Sequence, residues 1–216
     1  MDSPREASDY DSMDHLEVNR RFVDDFLAAA DHHGCGLAAG RILDLGTGTA
    51  QIPIELVGRR NNVSVLAVDL AGSMLVLAQR NVESAGFASQ IRPERVDAKD
   101  MPYADASFAA VISNSIVHHI PDPQRVLAEA CRVLQPGGLL FVRDLLRPRD
   151  DRQVRWLVET YAAGANEHQR QLFEASLRAS LSLPEIREVV ATLSHHPDEV
   201  QQTSDRHWTW SACLAS

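Results

Sequence analysis

The chain has 216 residues, of which 44% are hydrophobic and 24% are charged, and these ordinary values exclude a disordered chain. Its formal net charge of −9 argues against a broad nucleic-acid-binding surface, because an acidic surface repels phosphate backbones. Cys35, Cys131 and Cys213 are scattered, and the chain has neither a membrane-length apolar run nor a leader-like N-terminus. We therefore expect three buried thiols, no disulfide framework, no zinc site and a cytoplasmic protein.

The first half of the chain alternates strands and helices. Residues 1–9 are predicted to be a flexible tail, and apolar residues at helical spacing from Val18 to Ala30 predict an amphipathic helix. The predicted strands that follow are continuous apolar runs, which is typical of a parallel sheet covered on both faces. Strands are predicted at 41–45, 63–68, 91–96, 108–112 and 139–142, helices at 51–57, 73–85 and from Pro123 onward, and a tight turn at 136–138.

After residue 147 the pattern becomes helical. Helices are predicted at 152–161 and 167–181, and the capping box Ser182-Leu-Pro-Glu185 starts another. Two closing strands, predicted to be antiparallel, follow at 199–203 and 208–213. The whole chain, 1–216, is predicted to be one domain. Its parts are an N-terminal helical cap (1–38), a cofactor-binding core (41–146), a helical insert or lid (148–196) and closing strands (197–216).

The segment Asp44-Leu-Gly-Thr-Gly-Thr-Ala50 carries the first functional signal. A buried strand ends there in a glycine turn that opens a helix, which is where doubly wound sheets bind ligands. Asp69 ends the next strand, where a carboxylate can accept both hydroxyls of a ribose. The third glycine of a nicotinamide fingerprint is missing and no phosphate-binding GK[ST] sequence occurs. A carboxylate at Asp44 favours a cofactor with a cationic amino-acid end over a pyrophosphate.

Five segments in this order resemble the motifs of class I S-adenosylmethionine-dependent methyltransferases, nearest to the small ubiquinone/menaquinone-biosynthesis branch. Ala50 departs from the pattern, since a third glycine is common there. The resemblance implies a doubly wound, Rossmann-like α/β fold with seven strands, the last antiparallel. It also implies S-adenosylmethionine as cofactor and S-adenosylhomocysteine as product. The segments are Ile42–Thr49, Val68–Leu75, Val96–Phe108, Ser113–His119 and Val133–Gly138.

The same resemblance assigns cofactor contacts. It places the methionine end of the cofactor on the strand-to-helix turn, the ribose on Asp69, and the adenine on residues that follow the second and third strands. A turn role for Asp97 and core packing for Met74 are the alternatives. The residues assigned to the cofactor are Asp44, Gly46, Thr47, Gly48, Asp69, Leu70, Met74, Asp97, Ala98 and Asn114.

Catalytic candidates follow the fourth core strand. Methyl transfer from an activated donor needs alignment, and it needs a general base only if the acceptor must lose a proton. His118 and His119 are the candidate bases, because histidine titrates near neutrality. Their alternative is a packing or capping role. A metal site is not expected, since neighbouring histidines point apart and no third ligand is evident.

Further pocket candidates lie outside the core. Arg143 or Arg147 could bind an acidic substrate, although an ion pair with Asp144 is favoured. The remaining candidates are Tyr10, Met13, His15 and Asn19 near the first helix, and Trp156, Tyr161 and Phe173 as an apolar lid or as core packing. The predicted function is methyl transfer to a small or medium-sized acceptor, without nucleic acid. A non-catalytic cofactor-binding partner subunit and a nucleotide-dependent oxidoreductase are the alternatives; the acceptor and the oligomeric state stay open.

Overall fold

A computed structural model describes residues 4–11, 16–35, 37 and 40–214. The helices are α1 Pro4–Asp11, α2 Leu16–His33, α3 Gln51–Arg59, α4 Gly72–Ser84, α5 Pro123–Val133, α6 Asp151–Tyr161, α7 Glu167–Ala179 and α8 Leu183–Thr192. The strands are β1 Arg41–Leu45, β2 Ser64–Asp69, β3 Ile91–Arg95, β4 Phe108–Asn114, β5 Leu134–Leu145, β6 Val200–Gln202 and β7 His207–Cys213. Short 3₁₀ turns lie at Val117–His119 and Pro197–Glu199. No helix within these described ranges is long and apolar enough to cross a bilayer.

The strands form one sheet in the order β3-β2-β1-β4-β5-β7-β6. β1 lies between β2 and β4 and is parallel to both, so that Asp44 pairs with Ala67 on one side and Ile112 on the other. β6 and β7 are antiparallel, with Val200 opposite Trp210. The predicted seven-stranded, Rossmann-like α/β fold with an antiparallel last strand is thereby confirmed.

The chain divides into two compact units. The first unit comprises residues 1–114, 125–142 and 211–216, and the second comprises 115–124 and 143–210. In the first unit, Phe22 and Phe26 of α2 make edge-on contacts with Phe141, with ring centroids 5.2 and 5.8 Å apart. All three rings are buried in the core that α2 and α3 share with the sheet. The apolar spacing that predicted this helix is therefore the spacing of its buried face.

The second unit is built on capped helices. The side chain of Asp150 accepts the Gln153 N–H at 2.8 Å and begins α6. The predicted capping box at the start of α8 is present, and the Glu185 carboxylate accepts the Ser182 N–H at 2.8 Å. Such caps satisfy backbone donors that a helix start leaves unpaired. The buried core of this unit comprises Leu145, Val154, Leu157, Val158, Ala162 and Leu177.

Three expectations were wrong. The predicted tail at 1–9 contains helix α1, which is tied to α4 because the Asn81 amide donates to Asp11 at 2.9 Å. The turn predicted at 136–138 lies within β5, where Gly137 adopts a φ of 72° and donates its N–H to the Leu214 carbonyl at 2.8 Å. Of the three cysteines, only Cys35 is buried.

Candidate functional site

The glycine turn after β1 is fastened to the end of β2. The N–H groups of Gly46 and Thr47 both donate to the Val68 carbonyl, at 2.9 Å each. Gly46 and Gly48 have φ values of 70° and 55°, a left-handed conformation that glycine adopts without steric cost. Without a β-carbon at either position, the turn can bring its backbone close to a ligand.

Ala50 is the residue that departs from the family pattern, and its conformation explains the preference for glycine there. Its φ is 63°, it is fully buried, and it stands immediately before α3. A left-handed conformation costs an L-residue about 1–2 kcal/mol. Burial of the methyl group offsets part of that cost, so the chain keeps the turn with an alanine in place.

Asp69 joins the glycine turn to the start of α4. Its Oδ2 accepts the Gly48 N–H and its Oδ1 accepts the Ala71 N–H, both at 2.9 Å. A carboxylate has about four lone-pair sites, so two remain for hydroxyl donors. Asp69 is therefore a structural residue of the turn and still has the capacity to bind a diol.

Asp44 is a buried acid of the first unit. Its side chain is 2% exposed, and its Oδ2 has no hydrogen-bond partner among the residues that the structure describes. Burial raises the pKa of Asp44 to about 7; the nearby Thr47 hydroxyl lowers it, and the Asp69 carboxylate raises it further. The hydroxyls of Thr47 and Thr49 are also buried without a partner of good geometry. Buried polar atoms are rarely left unpaired, so this cluster indicates a ligand site.

These groups line a small cavity in the first unit. It has a volume of about 30 Å³, enough for about two water molecules. Tyr10 of α1 lies over the turn, because a β-carbon on Gly48 would stand 3.7 Å from its ring. Desolvation, followed by the carboxylates of Asp69, Asp44 and Asp11, raises the pKa of Tyr10. The wall consists of Tyr10, Asn19, Asp44, Gly46, Thr47, Thr49, Gln51, Ile52 and Asn114.

The structure brings together some of the predicted site residues and separates others. Tyr10, Asn19 and Asn114 join the turn in this wall, whereas Met13 and His15 lie outside the described residues. Thr49, Gln51 and Ile52 were missed by the sequence prediction. Their signal was their position, since they lie at the start of the helix that the turn opens.

The residues predicted to contact adenine lie outside the cavity wall. Leu70 is exposed at 53% and Met74 is buried at 4%, which fits core packing for Met74. Asp97 accepts the Lys99 N–H at 3.0 Å, the turn role that was its alternative. Ala98 lies in the same turn. Adenine contacts for these four residues stay predictions.

The second unit contains a buried histidine–carboxylate pair. Nδ1 of His118 lies 2.5 Å from Oδ1 of Asp144, and the two side chains are only 4% and 1% exposed. Asp144 also accepts the N–H groups of Val117 and Leu145, each at 2.5 Å. A carboxylate accepts hydrogen bonds, so we assign the donor role in this contact to Nδ1 of His118.

The rings of His119 and His118 are in contact at a 45° tilt, with centroids 3.9 Å apart. Partial desolvation, followed by the adjacent His118, lowers the pKa of His119 to about 4, although the residue keeps a face open to solvent. His119 is therefore neutral at pH 7 and a weaker base than an ordinary histidine. Of the two candidates, His118 has the orientation and the acceptor partner that a general base requires.

Arg143 of β5 and Arg147, which follows β5, each have a side-chain partner in the second unit. Arg143 is buried and donates to the Thr209 hydroxyl at 3.0 Å, and Arg147 forms an ion pair with Glu185 at 2.8 Å. The Asp144 carboxylate contacts His118. An ion pair between Asp144 and an arginine stays a prediction.

The aromatic residues of the second unit divide into packing and exposed positions. Phe173 packs against the core of this unit. Trp156 is exposed at 49%, and Tyr161 donates its hydroxyl to Asp205 at 2.5 Å while Arg206 lies over its ring. No group of three metal-ligating side chains occurs within the described ranges.

The fold and the first-unit site define a class of protein. β1, which is parallel to both of its neighbouring strands, ends in a glycine turn. Buried hydrogen-bond acceptors surround that turn. This is the site at which doubly wound proteins hold an adenosine-containing cofactor.

Comparison with known proteins shows what the chain is similar to. Residues 43–142 match the family model described as a methyltransferase domain. The chain is 32% identical over 111 residues, 51% of its length, to a ubiquinone/menaquinone biosynthesis C-methyltransferase of Geotalea daltonii, 47% of which is covered. It is 35% identical over 136 residues, 56% of its length, to an arsenite methyltransferase of Aquipseudomonas alcaligenes, 39% of which is covered. The match thus spans half or less of these relatives.

A solved structure extends the likeness to the whole chain. The crystal structure of an S-adenosylmethionine-dependent methyltransferase from Aquifex aeolicus matches 99% of both chains, with a TM-score of 0.69 and 17% identity, which shows a common fold. Over the matched residues the chain is similar to class I S-adenosylmethionine-dependent methyltransferases, and it resembles their quinone-biosynthesis branch. The family's cofactor is S-adenosylmethionine.

The residues of the cavity suit that cofactor. Its amino-acid end carries an ammonium group, and Asp44 offers a buried carboxylate oxygen that has no partner within the described chain. The unpaired hydroxyls of Thr47 and Thr49 can each donate to a carboxylate. The donor and acceptor set is therefore complementary to a zwitterionic amino acid.

Proposed function

We propose that this protein transfers a methyl group from S-adenosylmethionine to a small-molecule acceptor. The observation that carries the proposal is the cluster of unpaired buried polar atoms on Asp44, Thr47 and Thr49. Leaving such groups unpaired costs about 1–3 kcal/mol each. A ligand that pairs them recovers this free energy, so the cluster favours binding of an amino-acid end.

The cofactor contacts follow from the chemistry of each side chain. Asp44 would accept from the ammonium group, and Asp69 would accept from the ribose hydroxyls with its remaining lone pairs. Asn114, in the cavity wall at the end of β4, can both donate and accept beside the amino-acid end. When bound, the cofactor supplies a methyl group on a cationic sulfur, which makes it an activated donor.

Deprotonation of the acceptor is assigned to His118. Asp144 accepts a hydrogen bond from Nδ1 and thereby orients the ring. It would also stabilise the imidazolium that forms when Nε2 takes a proton. The pair therefore favours an acceptor that must lose a proton, namely a hydroxyl group or an acidic carbon. His119, whose pKa is about 4, would be a poor base for that step.

The relatives support a small acceptor without defining it. One is named for quinone biosynthesis and another for arsenite, so acceptor chemistry varies within the family. The part of the sequence that these relatives share with the chain covers about half of it. We therefore propose a small or medium-sized molecule.

Calorimetric titration with S-adenosylhomocysteine tests the cofactor assignment, with NADH as a parallel ligand. We expect micromolar binding of S-adenosylhomocysteine alone, weakened at least tenfold in Asp44→Asn. Asp31→Asn, which removes an exposed carboxylate, serves as the charge-matched control. Binding of NADH instead would favour the oxidoreductase alternative.

An acceptor screen with labelled methyl donor tests catalysis. Transfer to phenols, hydroquinones or activated carbon acids, but not to amines alone, is the expected result. Cofactor binding without transfer to any acceptor class would favour the non-catalytic partner subunit.

A further inference from the structure

The end of α2 contacts the end of β7 in the first unit. Nε2 of His33 lies 3.2 Å from the hydroxyl of Ser211, although the two residues are 178 positions apart. Side chains at alternate positions of a strand point to the same side, so Cys213 lies on the same side of β7 as Ser211. Cys35 follows His33 by two positions and Cys213 follows Ser211 by two, so this contact brings together the chain segments that carry the two cysteines.

The surroundings of the two thiols differ. Cys35 is 7% exposed, and its Sγ lies 4.0 Å from the His33 carbonyl, whereas Cys213 is exposed. Burial, together with a hydrogen bond and charge interaction with Cys213, raises the pKa of Cys35 to about 12. Cys35 is therefore shielded from reagents in solvent, while the Cys213 thiol is open to them.

We propose that Cys35 and Cys213 form a reversible disulfide when the protein meets a peroxide. The Cys213 sulfur attacks one oxygen of hydrogen peroxide, the O–O bond breaks, and a sulfenic acid and one water are formed. The Cys35 sulfur then attacks the sulfenic sulfur, loses its proton and displaces a second water. Both sulfurs are oxidised and the peroxide is reduced, and a thiol reductant reverses the bond.

The bond would join two segments that are distant in the chain. α2 carries Asn19 of the cavity wall, and the disulfide would tie its C-terminal end to the last strand. Cross-linking distant positions restricts the unfolded chain, so oxidation should raise the thermal midpoint by several degrees. This inference rests on the first unit alone and holds whether or not the protein transfers methyl groups.

Peptide mapping after oxidation is the decisive experiment. The purified full-length protein is treated with hydrogen peroxide, remaining thiols are alkylated, and the non-reduced tryptic digest is analysed by mass spectrometry. Cleavage at arginine places the three cysteines in three different peptides. We expect the peptides of Cys35 and Cys213 to be joined at equimolar oxidant, and a reductant to separate them.

Two variants keep the result interpretable. Cys131→Ser should form the same link, whereas Cys213→Ser should form none and should show no rise in thermal midpoint on oxidation. Both variants can be checked for folding by their midpoints under reducing conditions. An alkylated Cys35 in the oxidised wild type, a link through Cys131, or a dimer joined through two copies of Cys213 would overturn the proposal.

Discussion

Replacing Asp44 by asparagine should stabilise the unliganded protein and lower its affinity for the cofactor. The pKa of Asp44 is raised from 3.8 to about 7, chiefly by burial. Between pH 3.8 and about pH 7 the folded state therefore keeps a proton on Asp44 that the unfolded state has released. Asp44 consequently lowers the free energy of unfolding as the pH rises through this range. Below pH 3.8 both states are protonated, and above about pH 7 the full cost is present.

The magnitude follows from the shift. About 7 minus 3.8 is roughly 3 units, which at ~1.36 kcal/mol per unit gives an upper limit of about 4 kcal/mol at pH 8. At pH 5 the destabilisation by Asp44 is limited to about 1.6 kcal/mol, because pH 5 lies only about 1.2 units above the pKa of 3.8 in the unfolded state. The stability gained by Asp44→Asn should thus grow by about 2–3 kcal/mol between pH 5 and pH 8.

Urea unfolding at the two pH values measures this difference, with Asp31→Asn as control. Calorimetry at pH 8 should show at least tenfold weaker binding of S-adenosylhomocysteine, about 1.4 kcal/mol. A carboxylate that lowers stability but binds a ligand should, when replaced, give a more stable protein with weaker ligand binding. A variant that is less stable at pH 8 would refute this reasoning, because it would show that Asp44 serves the fold.

Three further predictions concern the turn and the histidine pair. Asp69→Ala should weaken S-adenosylhomocysteine binding at least tenfold and also lower the free energy of unfolding by about 1–3 kcal/mol, because two backbone N–H groups lose their charged acceptor. Asp144→Asn and His118→Asn should each lower kcat without changing cofactor affinity, and Asp144→Asn should shift the pH profile of kcat. Ala50→Gly should change stability by less than about 1 kcal/mol, since relief of the left-handed alanine is offset by a lost buried methyl and a more flexible unfolded chain.

Each of these three predictions has a result that would contradict it. Unchanged cofactor affinity in Asp69→Ala would confine Asp69 to the turn. A histidine-pair variant with normal kcat but a lower thermal midpoint would show that the pair only packs the second unit. A large loss of stability in Ala50→Gly would mean that the buried methyl outweighs the backbone strain.

Local patterns in the sequence predicted the fold class, and the resemblance of its motifs to those of a known family predicted the cofactor. Continuous apolar runs predicted parallel strands because both faces of such a sheet are covered. The glycine turn and the acids Asp44 and Asp69 were predicted from their positions at strand ends, and the capping box of α8 from four adjacent residues. In each case the physical cause acts over a few residues.

Tertiary structure decided everything that depends on distant partners. Helix α1 is held by the contact between Asp11 and Asn81, and the spacing of apolar residues in the sequence does not predict this contact. His118 is distinguished from His119 by Asp144, 26 residues further along the chain.

Burial likewise depends on the assembled core. The pKa of Asp44 is raised because neighbouring elements exclude water from its side chain, and the sequence around it does not encode that exclusion. Local spacing therefore predicted which residues end each strand. Desolvation and long-range contact determined which of them are perturbed, paired or left without a partner, because these properties arise only when distant segments pack together.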